Sequence, residues 1–266
     1  MTKAKIVLIS ILMILIALIA ILFGAVFRVR NQTLICVGEG KTYCEELEQE
    51  ILTSSGIKNG KSIFMLDKQT AVLNIEKTHP YVKVIQIQTT GVTSIEIKVR
   101  KRYEMFYAVA NGKNYVLDED LKVLRITDVV PELMFLNVSK LSITNNTEVG
   151  DFIGTEYHQN VASALVEGLY THALLERNEM ISSIEKISFG EGFSLNEGYT
   201  RLIIKTKTGV EMDIYKPEQN LAEKLNICFS TYNDEDFTSE QKTQGVIKIY
   251  LDKFGNEKIG YFEPTE

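Results

Sequence analysis

The sequence predicts an α+β protein in three parts: an N-terminal transmembrane helix, a compact β-α-α-β-β unit, and a mixed or antiparallel β-sheet domain with covering helices. Residues 6–27 carry no charge. Two stretches between 42 and 80 place apolar residues at helical spacing between cap candidates. From residue 82 onward, short runs rich in Val, Ile, Tyr and Phe are punctuated by turn residues. The parts are expected at 1–30, 31–101 and 102–266.

The first segment holds 22 uncharged residues, twelve of them Leu or Ile, and a bilayer core needs about 20 apolar residues in helical form. Each central Leu or Ile favours insertion by roughly 0.3 to 0.6 kcal/mol. A cleaved signal peptide would end at a small-residue site after about 7–15 apolar residues, and Phe23-Gly24-Ala25-Val26-Phe27 offers none. Lys3 and Lys5 on one side stand against Arg28 and Arg30 on the other, so charge bias alone barely decides orientation.

The chain has 266 residues and a formal charge of −6. Removing those four cations from its 29 basic residues leaves 25 against 35 acidic ones, so the body carries −10. Such a body repels nucleic acid, and no basic patch interleaved with aromatics offsets it. Three cysteines are too few for a disulfide scaffold. Cys36 and Cys44 are near enough to be considered as a pair, but all three read as small buried hydrophobes.

Along the chain, residues 33–37 form a β-type run stopped by Gly38-Glu39-Gly40. One helix is expected over 42–54, with Thr42 and Glu45 at capping-box spacing and Gly56 at its end. A second lies between Asp67, its N-cap candidate, and Pro80, burying Ala71, Val72 and Ile75. Residues 82–87 and 95–99 form a hairpin turned at Thr89-Thr90-Gly91, with Glu96, Lys98 and Arg100 on a wet face. Both helices then cover one face of a three-stranded sheet.

Beyond Arg102 mostly hairpins are expected: strands at 106–110, 115–117 and 121–126 around Asp118-Glu119-Asp120. Two helices interrupt them. One carries Tyr157, Val161, Leu165 and Leu169, the other has Pro217 in its first turn with Leu221, Leu225 and Cys228. Strands at 202–206, 210–215, 246–251 and 258–262 finish the sheet, with turns at Gly209 and Phe254-Gly255-Asn256. The loop 141–154 is the expected excursion.

Little in the chain asks for catalysis or a cofactor. Gly38-Glu39-Gly40-Lys41-Thr42 and Gly56-Ile57-Lys58-Asn59-Gly60-Lys61-Ser62 end like phosphate loops, but the first glycine would fall at Ile35 or Ser55. His79, His158 and His172 are scattered, and no Cys-x-x-Cys occurs, so no metal is expected. Ser194, within Gly192-Phe193-Ser194-Leu195-Asn196, lacks the second glycine of a nucleophile elbow.

The stretch from Ser55 through Gly56-Ile57-Lys58-Asn59-Gly60-Lys61-Ser62-Ile63-Phe64-Met65-Leu66 to Asp67, followed by His79-Pro80-Tyr81-Val82-Lys83 and Ile95-Glu96-Ile97-Lys98-Val99, resembles a POTRA domain. Behind one apolar helix, the arrangement resembles the FtsQ/DivIB bacterial cell-division proteins. Residues 201–225 are similar to that family's late hairpin and helix, and 246–262 to its last strands. The family usually has Glu-Arg and then Pro after the last POTRA strand, where this chain has Lys101-Arg102-Tyr103-Glu104. The common proline of the preceding turn is also missing from Gly91-Val92-Thr93.

The resemblance implies a cytoplasmic N-terminal tail, a single pass through the bacterial cell membrane and an extracytoplasmic body at the division septum. It implies a non-enzymatic role in assembling septal cell-wall machinery. The partners are then small single-pass proteins of the FtsB/DivIC type with an FtsL-like companion, taken up by strand addition. The contact is expected at Ile247, Lys248, Ile249, Tyr250, Ile259, Tyr261 and Phe262, with sheet core the competing role for Ile247 and Ile249. The rival readings are an unrelated anchored extracytoplasmic enzyme or binding protein, and a POTRA module of an outer-membrane assembly factor, which lacks its barrel here.

Overall fold

A computed structural model describes residues 3–137, 141, 143–144, 146–171, 173–191, 200–251 and 257–262. His172, the 192–196 stretch with Ser194, and Phe254-Gly255-Asn256 lie outside them. The chain divides into two units, Met1–Arg102 and Tyr103–Glu266. Both mix helices and sheet.

The first unit begins with α1 (Lys3–Val26). Its described side chains, at 9–19, 21 and 26, are all exposed. Among the described residues no helix is long and apolar enough to cross a membrane.

Three strands follow around a helical layer: β1 (Asn31–Val37), β2 (Val82–Thr90) and β3 (Ser94–Lys101), in the order β1-β3-β2. β3 lies parallel to β1 and antiparallel to β2. Its strict alternation sends Ile95, Ile97 and Val99 into the core and leaves Glu96, Lys98 and Arg100 half-buried on the other face.

The expected helix over 42–54 is two helices, α2 (Lys41–Glu46) and α3 (Glu48–Ser54), broken at Leu47. Gly40, at φ 72°, starts α2 before Thr42, so Thr42 stands inside the helix and no capping box forms. Lys41 instead pairs with Glu45 at 3.3 Å. Gly56, at φ 66°, follows the end of α3. In α4 (Lys68–Thr78), Asp67 caps as expected, its Oδ1 accepting the Thr70 N–H at 3.0 Å. Ala71 and Ile75 are buried and Val72 is half-buried.

Arg102 closes this unit. Its backbone N–H donates to the Tyr81 carbonyl at 2.8 Å, and its guanidinium donates to Glu76 Oε2 of α4 at 2.8 Å. Glu76 Oε1 accepts the Val84 N–H beside a bulge in β2.

The second unit is built on a nine-stranded sheet ordered β12-β11-β10-β9-β8-β7-β4-β5-β6. The strands are β4 (Phe106–Ala110), β5 (Lys113–Leu117), β6 (Val123–Thr127), β7 (Met134–Asn137), β8 (Ile184–Glu191), β9 (Thr200–Thr206), β10 (Glu211–Tyr215), β11 (Val246–Leu251) and β12 (Glu257–Phe262). The sheet is mixed, with parallel pairings β4/β7, β7/β8 and β10/β11. The other five pairings, β4/β5, β5/β6, β8/β9, β9/β10 and β11/β12, are antiparallel and join consecutive strands, so hairpins predominate as expected; β7 and β8 were not foreseen, and each joins a neighbour in parallel.

One core joins the sheet to α5 (Glu156–Thr171) and α7 (Leu221–Asn233), while α6 (Arg177–Ser183) precedes β8. Val161, Leu165 and Leu169 of α5 and Leu221, Leu225 and Cys228 of α7 are buried as their spacing requires. Pro217 lies before α7, not in its first turn, because Lys216 (φ 42°) and Asn220 (φ 51°) turn the chain first. Buried Lys224 of α7 ties that turn down, its Nζ donating to the carbonyls of Tyr215 at 2.9 Å and Lys216 at 3.2 Å.

Candidate functional site

Strand β12 forms one margin of the nine-stranded sheet. Its register with β11 sets Ile259 opposite Ile249 and Tyr261 opposite Ile247. These four share the face that carries α7, and Gly260 and Phe262 share the other face with Lys248 and Tyr250.

Two of the expected contact residues take the competing role of sheet core. Ile247 and Ile249 are buried in the core. β11 is also paired on both sides, to β10 and to β12, so its backbone is not open to a partner strand. Lys248 and Tyr250 are half-buried on the opposite face. The margin strand itself brings together Ile259, 42% exposed, Phe262, 46% exposed, and half-buried Tyr261.

The three differ in what they touch. Ile259 opens onto a cleft of about 400 Å³ that it shares with Ile249 and Lys258 and with Asn220, Glu223 and Ile227 along the first half of α7. Phe262 lies against Tyr250, ring centroids 5.9 Å apart, and overlies Gly260, whose missing side chain the ring replaces. Tyr261 is engaged elsewhere: its hydroxyl donates to the Gln244 carbonyl at 2.9 Å and its ring meets Phe237 edge-on at 4.9 Å. Gly245 (φ 96°) makes room, since a Cβ there would run into the Tyr261 ring. A charge at 261 would forgo both contacts, which tie the strand to the segment before β11.

The contribution of α7 was missed by sequence reasoning. Its signal is Ile227, an apolar residue beside the buried stripe of Leu221, Leu225 and Cys228, which leaves it half-buried at the margin.

Other chemistry-bearing groups are accounted for by structure. Asp118, Glu119 and Asp120 bring carboxylates within 4.8 Å of one another, but Asp118 Oδ1 accepts the N–H groups of Asp120 at 2.9 Å and Lys122 at 2.8 Å and thereby shapes the turn. All three cysteines are free and buried. Burial pushes the Cys36 and Cys228 thiols up to about 12 and raises Cys44, so none is a ready nucleophile at neutral pH. Desolvation lowers His158, whose Nδ1 accepts the Thr155 N–H at 3.2 Å at the start of α5.

No protein-family model matches the chain, and no curated protein does either. Among solved structures it is similar to the major extracytoplasmic domain of the trans isomer of the bacterial cell-division protein DivIB from Geobacillus stearothermophilus. The identity is 13% and the TM-score 0.29, over 52% of this chain and 98% of that one. A likeness at that level places the chain in no family.

Proposed function

We propose that the chain is a membrane-anchored, non-enzymatic scaffold of the FtsQ/DivIB type, helping to assemble and regulate septal cell-wall synthesis by binding other bitopic division proteins. α1 crosses the bacterial cell membrane with its N-terminus in the cytoplasm, and both folded units lie outside the cell at the septum. The observation that carries this reading is the β12 margin, an outer strand with exposed Ile259 and Phe262 beside an open cleft. An extended segment of an FtsB/DivIC-like partner, accompanied by an FtsL-like one, would extend the sheet there. Ladder hydrogen bonds supply affinity, and alternate side chains seated beside Ile259 supply selectivity.

The test is capture of the partner by full-length protein from crosslinked membranes. Ile259→Lys is expected to weaken capture by about tenfold or more, a loss of at least about 1.4 kcal/mol. Its cost to folding stays within about 0.5 kcal/mol, as for other exposed positions. Unchanged capture rejects this margin. A fluorescent fusion gathers at mid-cell on this reading; uniform envelope signal with hydrolytic activity would instead favour an unrelated anchored enzyme.

A further inference from the structure

We infer that the first unit rests on the bilayer through a hydrophobic foot formed by Phe64, Met65 and Val92, which enters the interfacial layer beside α1. The inference rests on α1 being embedded in that bilayer. The chain leaving α1 is clamped from two directions. Phe27 accepts the Ile63 N–H at 3.0 Å, Arg28 bridges to Ser62, and Val29 exchanges backbone bonds with Gly60 and Lys61 at 2.7 and 2.9 Å. Arg30 then donates its N–H to the Thr93 carbonyl at 2.8 Å.

These bonds fix two loops around the exit of the helix: the 3-10 turn Ile63–Met65 and the turn joining β2 to β3. Each presents large apolar side chains outward: Phe64 is 66% exposed, Met65 77% and Val92 51%. The Phe64 ring lies against Phe27, just after α1, centroids 5.1 Å apart, so the two rings form one apolar surface.

Such a cluster is unfavourable in water. Its surroundings select a lipid surface over a protein one. Arg28, Arg30, Lys58 and Lys61 are exposed within the same short segments, although the body as a whole is acidic. Exposed cations in the segments that carry an apolar tip match lipid phosphates above an acyl layer, with the apolar groups entering roughly 5–10 Å.

The chain contains no tryptophan, so one substitution makes a clean reporter. Full-length Phe64→Trp and Met65→Trp proteins would be reconstituted, without partners, into phosphatidylglycerol-containing vesicles with bromine on the upper acyl chain. The indole is expected to shift to the blue and lose most of its emission. Arg28→Gln with Lys61→Gln should weaken the quenching. Unquenched indoles at both 64 and 65, with Leu15→Trp quenched by mid-chain bromines, would overturn the foot and leave the anchor standing. An unquenched Leu15→Trp would overturn the anchor, and the foot with it.

Discussion

Glu76 and Arg102 offer a sharp test of what holds the first unit together. The Arg102 side chain is 2% exposed and that of Glu76 10%, with 2.8 Å between Nη2 and Oε2. Breaking a buried pair by removing one partner costs about 3–5 kcal/mol, because the other charge stays desolvated. A domain of this size has a total stability of about 5–15 kcal/mol, so Arg102→Met should remove a large share of it. Replacing both partners should cost much less than the two single changes together. The residual depends on the second oxygen: Glu76→Gln keeps an acceptor for the Val84 N–H, whereas Glu76→Leu orphans it at a further cost of about 1–3 kcal/mol. Hydrogen exchange of β2 and β3 in the full chain reads these differences by strand, with urea unfolding as the global measure. A single substitution costing under about 1 kcal/mol, or a double cycle that is simply additive, refutes the reasoning.

Other outcomes follow from local geometry. His158 is held below its usual value by burial; for a base depressed on folding, stability is fully present above the unfolded value of about 6.5 and is lost as pH falls below it. The melting temperature should therefore drop on acidification, with a shallower slope in His158→Gln, and equal slopes would reject the assignment. Gly168 lets α5 approach α7: a Cβ there would lie 2.7 Å from Leu225 Cδ1 and 3.3 Å from Ala222 Cα. Gly168→Val should cost about 1–3 kcal/mol by urea midpoint, and an unchanged midpoint would show that the helices separate freely. Gly209 sits at φ 114° with the Thr243 carbonyl where a Cβ would point, so Gly209→Ala should cost roughly 1–3 kcal/mol by the same assay; a neutral result would mean that the turn relaxes.

What the sequence made legible is what local chemistry decides. The strands at 106–110 and 246–251 fall where alternation puts them, and Asp67 caps α4 because its side chain meets an orphan N–H three residues on. β7 has four residues and parallel neighbours, so no tight turn announces it. β8 begins at Ile184, directly after α6, without a punctuating Gly, Pro or Asn. α6 does have a capping box, but Glu176 fills the N-cap position normally read from Ser, Thr, Asp or Asn. At the margin, Ile247 and Ile249 alternate just as Ile259 and Tyr261 do. Alternation reveals faces; which strand lies outermost depends on the parallel joining of β10 to β11 across α7, a non-local outcome.

Among the described residues the two ends of the long sheet are treated differently. At β6 the chain covers its own margin: Val123 donates to the Asp151 carbonyl and accepts the Gly150 N–H, each at 2.8 Å, and Lys122 bridges to Phe152. Outer strands left bare invite unwanted pairing, and proteins commonly blunt them in this way. At β12, among the described residues, Ile259 and Phe262 stay exposed at the margin, while the interactions of Tyr261 with Gln244 and Phe237 brace the strand from one face. On the proposed function, a strand held in place in this way is pre-organised: little ordering entropy would remain to be lost if a partner strand paired with it. The same bracing explains why Ile259 is the residue to probe. It can be changed without loosening the strand that presents it, which is not true of Tyr261.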